Sequence, residues 1–501
     1  MRAAVHGRRG IARGAWTLDV KVEPEFVGKT YNDFLIRPRM GVVDSRREVA
    51  LTSPLTTRLT IELPVVSANM DSVTGASMAK AMALEGGIGF VHRAMPIEAQ
   101  AREVARVKRT HAFVVEEPLC LPRDATIREA RRFTREHDIT GILIEEERAS
   151  NRLAGLLSNR DIPWVEGYED HRVDEFMTPM ERLQTRPPDT TVEEVERILF
   201  ENRIEKLPLV DDDRRIRGLI SKKDVILHRR RPYASVDDKG RLLVGAAIGA
   251  RDDYLERAAE LIQAGVDVVL IDIAHGHSQV MQRAVESFRT RFADVPLVCG
   301  NIGTAEGASF LRDLGVDGIK VGVGPGHGCR TRLETAAGVP QLQAIREAWL
   351  AVEESVPIIA DGGLRDDKDI FLALACGASS VMLGNMLAGT EETPGYVIEE
   401  PGSGQKRKIY RGMTSPQAVF QALYDAEGEQ ELETPAEGRQ IEVPHKGTVV
   451  DALSRIRGHL RSAVSYAGER SLSKARAKIV KDPLSHLVPL SEAAQRESYE
   501  R

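Results

Sequence analysis

The chain has 501 residues, and 69 Lys plus Arg against 75 Asp plus Glu leave a net charge of −6. At roughly 150 residues per domain the length suggests about three domains, and a composition 42% hydrophobic and 29% charged is that of a globular chain able to bury a large core. No apolar run approaches the ~18 residues of a bilayer span, and the balanced charge supplies no general field for nucleic acid, so neither a membrane nor a specific nucleic-acid partner is expected.

Residues 1–20 read as a disordered basic tail: within 1–16 Arg2, Arg8, Arg9 and Arg13 occur with no acid and no apolar signal-peptide core. Two apolar runs follow, PVVSANMD (64–71) and GGIGFVHR (86–93). After an interruption come LLVGAAIG (242–249), VDVVLIDIAHG (266–276), VPLVCGNIG (295–303), VDGIKVGVGPG (316–326), VPIIADGG (356–363) and SSVMLGN (379–385). They alternate with amphipathic stretches such as 253–264 and 305–314, the pattern of buried parallel strands in repeated βα units. Eight units predict an α/β fold, a closed (β/α)8 TIM barrel built from 21–111 and 233–501, with an open doubly wound sheet as the rival reading. In a barrel the polar strand ends Asn69, His92, Asp272, Asn301, Gly324, Asp361 and Gly384 converge on one mouth.

The interruption, 112–232, holds two similar halves, 112–171 and 172–232. PRDATIREARRF and RLAGLLSNRDI in the first match PPDTTVEEVERI and RIRGLISKKDV in the second; Asp124 to Asp189 is 65 residues and Gly155 to Gly218 is 63, the register of an internal duplication. The halves resemble a tandem pair of CBS domains (a Bateman domain). That resemblance implies a cleft for adenine or guanine nucleotides, with Asp161 and Asp224 at positions that meet a ribose; a purely structural pair is the alternative. HRRRP (228–232) reads as a solvated linker back to the barrel.

In GVGPGHGCRTR (322–332) three glycines bring Cys329 to the end of a barrel strand, on a loop where backbone can approach a ligand closely. A thiol there can act as a nucleophile, whereas Cys299 and Cys376, set in apolar runs, read as core residues. Cys120 completes a set of four scattered cysteines with no CxxC pair, which argues against disulfides or structural zinc and fits a cytoplasmic protein. His275 and His277 lack an evident third ligand, so no transition metal is assigned.

PVVSANMD, DIAHGHS (272–278), CGNIG (299–303), GVGPGHGCRTR, ADGGLR (360–365), VMLGNMLAGTEETPG (381–395) and YRGM (410–413) together resemble the IMP dehydrogenase and GMP reductase family over essentially residues 25–485. The resemblance implies that Cys329 attacks C2 of a purine nucleotide, with hydride exchanged between C2 and a nicotinamide. It implies that Asp361 binds the ribose hydroxyls, that Gly363, Gly384, Asn385 and Tyr410 hold the 5′-phosphate, and that Gly412 and Met413 line the base. Asp272 and Asn301 are implied to orient the nicotinamide half of the dinucleotide together with Gly322 and Gly324. The carbonyls of Gly324, Gly326 and Cys329 are implied to face a monovalent cation such as K+. A homotetramer, or an octamer of stacked tetramers, is implied as the assembly. Asp361 and Asp272 have a plainer alternative as helix caps, and His327 stands where the family has a serine that touches phosphate.

A dehydrogenase must make hydroxide, and in this family an Arg-Tyr pair in the mobile flap (414–447 here) does so. No such pair occurs in 414–436: Tyr424 follows Leu423, and the stretch has no Arg. AEGRQIEVPHKG (436–447), with Glu442 where dehydrogenases have Arg, LRSAVSYAG (460–468) and Asn69 are similar to reductases. In a reductase Thr331 and Glu437 form the relay that protonates departing ammonia. YRGM, GTEETPG, GGIGFVHR and the CBS insert lean to the dehydrogenase, and Thr434 replaces an Arg that reductases use near the base. The expected activity is therefore NADPH-dependent conversion of GMP to IMP, with NAD-dependent oxidation of IMP and a non-catalytic nucleotide sensor as the alternatives.

Overall fold

The computed structural model describes residues 21–109, 115, 118–137, 139–231, 233–400, 402–413, 415 and 437–499, without the side chains of 227–230. The basic tail and flap residues 416–436, with Leu423, Tyr424 and Thr434, lie outside the described residues. The chain divides into two units, Met1–Ala105 with Leu243–Arg501, and Arg106–Leu242.

Every one of the eight apolar runs forms a parallel strand of the first unit. In chain order they are β1 (Val65–Ser67), β2 (Ile88–Val91), β3 (Gly245–Ile248), β4 (Val268–Asp272), β5 (Leu297–Ile302), β6 (Gly318–Val321), β7 (Ile358–Asp361) and β8 (Ser380–Leu383). They close in the order β3 to β8, then β1 and β2, with Gly245 of β3 opposite Phe90 of β2. Closure excludes the open sheet. Strands covered on both faces need apolar side chains throughout, and Val66, Ile88, Phe90, Ala247, Leu270, Val298, Ile359 and Met382 meet in one buried cluster. The amphipathic stretches become helices Tyr254–Gln263 and Ala305–Asp313, the latter begun by Thr304, whose hydroxyl accepts from the Gly307 amide. Cys299 and Cys376 are fully buried, and burial pushes the Cys376 thiol up to about 12.

Beyond β8 an antiparallel sheet of Ile398–Glu399, Lys406–Arg411 and Gln440–Pro444 sets Tyr410 opposite Ile441 and Arg411 opposite Gln440. It carries both Tyr410 and the residues that follow the flap.

In the second unit, Cys120–Pro122, Gly141–Glu145, Leu153–Ser158 and Thr178–Pro179 form a sheet with helix Ile127–His137. The other half pairs Lys206–Val210 with Ile216–Ser221, flanked by helices Val192–Glu201 and Lys222–Arg230. Each half has its own apolar cluster, around Ile142 and Leu157 in one and Leu207 and Ile220 in the other. Leu143 and Leu153 join Val210 and Ile216 in a third cluster drawn from both. The unit is wider at both ends than 112–232, for a local reason: Lys108 Nζ donates to Asp237 (2.8 Å) and to the Leu242 carbonyl (3.1 Å), tying entry to exit.

Candidate active site

Cys329 sits on the loop after β6, at the wall of a cavity of about 430 Å³ in the barrel mouth. The same cavity is lined by Asn301, Gly322, Gly324, Gly326, Asp361, Gly363, Gly384, Asn385, Tyr410, Gly412 and Met413, so twelve of the site positions picked from sequence converge there. Asp161 and Asp224 belong to the second unit.

The loop owes its shape to close backbone packing. A Cβ on Gly322 would stand 2.0 Å from the Asp361 carbonyl, where no side chain fits, and one on Gly384 would stand 3.0 Å from the Tyr410 hydroxyl, which would have to give by a few tenths of an ångström. The cysteine thiol donates to Thr331 Oγ1 at 3.2 Å, and that hydroxyl donates to Glu437 Oε2 at 2.6 Å. Neither Thr331 nor Glu437 lines the cavity, but the chain of hydrogen bonds connects both to it. Glu437 arrives from 106 residues away. Its segment is held by the Arg330 amide donating to the Glu437 carbonyl (2.7 Å) and by a bridge between Cys329 and Gly438.

Behind the cavity lies a charged arrangement centred on Lys320 of β6. Its ammonium is 2.5 Å from Asp361 Oδ2 and 3.3 Å from Asp272 Oδ1, with the side chain only 3% exposed. Burial alone would lower the Lys320 pKa, but the two carboxylates outweigh it and raise it, so the residue holds its proton. Asn301 Nδ2 donates to Asp361 Oδ2 (2.9 Å) and to the Gly322 carbonyl (2.7 Å), while Asn69 Nδ2 donates to Asp272 Oδ2 (2.6 Å). Neither aspartate caps a helix: Ser278 caps Gln279–Arg291, and Asp366 begins Asp367–Ala375. Lys320 was missed in the sequence, where the available signal was a lone lysine inside an otherwise apolar parallel strand. Buried there, an ammonium needs acid partners.

The edge of the cavity is basic. Arg365, Arg439 and His327 line it, and Arg439 Nε donates to the His327 carbonyl at 2.9 Å. Burial, then Arg439, Arg365 and Lys446, hold the His327 imidazole below its ordinary range. Burial pushes the Tyr410 phenol up, which keeps it a neutral hydrogen-bonding group. Glu442, on the strand Gln440–Pro444, faces outward and lies 3.8 Å from Arg407.

Two groups implied for this mouth can be tested against its donors. A nicotinamide dinucleotide fits, because Asn301 Oδ1 is buried with no partner in the structure and accepts what an amide or hydroxyl of a ligand offers. For a monovalent cation, the Gly326 carbonyl already accepts the Cys329 amide at 3.0 Å; a carbonyl's second lone pair remains for an ion.

In the second unit Asp161 Oδ2 accepts from the amide (2.8 Å) and hydroxyl (2.7 Å) of Ser158, and Asp224 Oδ2 accepts from those of Ser221 (3.0 and 2.5 Å). Burial raises the Asp224 pKa. A cavity of about 420 Å³ is lined there by Thr140, Glu205, Lys206, Ser221, Lys222, Lys223 and Ile226.

The sequence pattern of the IMP dehydrogenase / GMP reductase domain matches residues 28–500. Proteins named inosine-5′-monophosphate dehydrogenase from Aquifex aeolicus (strain VF5) and Nitrosopumilus maritimus (strain SCM1) are each 42% identical; the alignments cover 94% and 89% of this chain and 95% and 93% of theirs. A solved structure, a cysteine-to-alanine variant of GMP reductase from Trypanosoma brucei in complex with guanosine 5′-monophosphate, superposes with a TM-score of 0.86 at 37% identity, covering 94% of this chain and 97% of that one. The GMP reductase of the same organism in complex with guanosine 5′-triphosphate gives 0.76 at 34% identity, covering 93% and 98%.

Proposed function

The chain belongs to the IMP dehydrogenase / GMP reductase family, and from that premise we propose that it is a GMP reductase, converting GMP, with NADPH, to IMP and ammonia. The enzyme class is NAD(P)-dependent oxidoreductase acting on purine nucleotides. The observation that carries the direction is the unbroken path from the Glu437 carboxylate through the Thr331 hydroxyl to the Cys329 sulfur.

In this reading the Cys329 thiol passes its proton along Thr331 to the Glu437 carboxylate as the sulfur adds to C2 of the purine, and Glu437 returns that proton through Thr331 to the 2-amino group, which leaves as ammonia. A hydroxyl between an acid and the leaving group moves a proton without moving a side chain. Asp272, Asn301, Gly322 and Gly324 would hold the nicotinamide half of NADPH, which would supply the hydride that replaces the sulfur at C2 and frees Cys329. Asp361 binds the ribose diol, and Lys320 holds that carboxylate in place. Gly363, Gly384, Asn385 and Tyr410 hold the phosphate, and Gly412 and Met413 flank the base. The carbonyls of Gly324, Gly326 and Cys329 would hold K+, which would steady the cysteine loop.

A second reading, oxidation of IMP to XMP with NAD, is favoured by the names of the 42%-identical relatives. Against it stands the chemistry of hydrolysis: it needs a base for water, and 414–436 contain no Arg. For the second unit the reading is a tandem CBS pair that takes a purine nucleotide against Asp161 and Asp224, in a homotetramer or octamer. The direct test mixes the protein with GMP and NADPH, and separately with IMP and NAD, and follows the absorbance of reduced nicotinamide. Loss with GMP supports the reductase, gain with IMP replaces it by the dehydrogenase, and no change in either leaves a nucleotide sensor.

A further inference from the structure

Past the flap, the chain returns to the cysteine loop along a seam of main-chain bonds. The Arg439 amide donates to the Gly328 carbonyl (3.0 Å) and the Gly412 amide donates to the Arg439 carbonyl (3.0 Å), next to the Arg330–Glu437 bond already described. One residue thus joins the cysteine loop, the base-lining segment 412–413 and the segment that carries Glu437. Its guanidinium, on the exposed edge of the cavity, is directed at His327, with Nε on the carbonyl and Nη2 3.4 Å from the ring Nε2.

The charges at that edge are out of balance. Arg330 is paired with Glu334 at 2.7 Å and Asp361 with Lys320. Arg439, Arg365 and Lys446 have no carboxylate partner among the described residues, and Lys446 Nζ instead donates to the Asn385 carbonyl at 2.9 Å. Three cations from two segments, Arg365 after β7 and Arg439 and Lys446 on either side of the strand Gln440–Pro444, set beside Gly363, Gly384 and Asn385, match a dianionic phosphomonoester.

We propose that Arg439 is the residue through which the substrate's phosphate locks the acid relay: the phosphate takes its guanidinium, and the segment two residues upstream keeps Glu437 on Thr331. Arg439 is in this sense a positioning residue for Glu437. Binding energy from the unreactive end of the nucleotide is spent on orienting the group that moves the proton. The inference rests on the proposed reduction of a purine nucleoside monophosphate, in which Thr331 and Glu437 protonate the departing ammonia.

Hydrogen exchange on the full chain, with saturating GMP, guanosine or inorganic phosphate, tests it alongside steady-state turnover. The expected result is slowed exchange of the 437–439 and 412 amides with GMP and with phosphate, but not with guanosine. In Arg439→Ala the GMP effect disappears and kcat falls about 10- to 100-fold, and Arg439→Lys restores most of it. Equal protection by guanosine and GMP, wild-type protection in Arg439→Ala, or an unchanged kcat in that variant overturns the proposal. Failure of GMP and IMP alike to bind overturns the nucleotide reading itself, and the proposal with it.

Discussion

Aspartates end strands in both units, but they are satisfied in opposite ways. In the second unit Asp161 and Asp224 turn back on a serine three residues earlier, a closure that any isolated copy of the loop can make. In the barrel Asp361 and Asp272 reach an ammonium on another strand, 41 residues away from Asp361, and Asp272 also takes the side chain of Asn69, 203 residues away. The first arrangement is local and is repeated with the duplication. The second exists only once the barrel closes, so the binding groups and the core are formed by the same event.

Five variants press on this contrast. Cys329→Ala, which removes the group that the assembled mouth presents, is expected to lower turnover by about 10⁴-fold or more; mass spectrometry of trapped protein with GMP should find an adduct on the 322–332 peptide in the wild type alone. Lys320→Met leaves two partly buried carboxylates without their shared cation, and a loss of roughly 3 kcal/mol is expected in denaturant unfolding. A loss no larger than that of an exposed lysine would break the contrast.

His92 measures what the mouth does to a buried group with an unsatisfied ring nitrogen, since its Nδ1 has no partner in the structure. Burial lowers its pKa to about 4 from 6.5, opposed by Asp71 and Glu103 and assisted by Arg411. The folded chain therefore keeps it neutral while the unfolded chain protonates it, so stability is full above about pH 6.5 and is lost as the pH falls towards about 4. By linkage the loss is about 3 kcal/mol, and His92→Gln should flatten stability across that interval by the same amount. The smallest effects belong to the local closures: Asp161→Ala and Asp224→Ala are each expected to cost about 1 kcal/mol in thermal unfolding, with the buried Asp224 the dearer of the two.

The same contrast accounts for what could be read from residues alone. The eight strands were legible because strands buried on both faces write themselves as apolar runs, and the duplication was legible because Ser158 with Asp161 and Ser221 with Asp224 repeat at a fixed spacing. Cys329 and the glycines were legible as an ordered text of motifs. Lys320 was not, because its meaning depends on Asp272 and Asp361, which only strand order β4 to β7 brings to it. Arg439 was passed over for a related reason: nothing in EGRQ announces that its guanidinium lines the same cavity as Cys329. The contacts of Lys108 with Asp237 and Leu242, 129 and 134 positions away, have no signal in the sequence.

That ammonium has a consequence for how the barrel forms. β2 and β3 must pair although the whole excursion intervenes, and the entropic cost of such a closure grows only with the logarithm of the separation, about 0.6 kcal/mol per doubling. With entry and exit already clasped, the excursion counts during assembly as a short turn and not as a long loop. The barrel can then be assembled around a prefolded passenger, and a splice across the clasp would preserve its strand order.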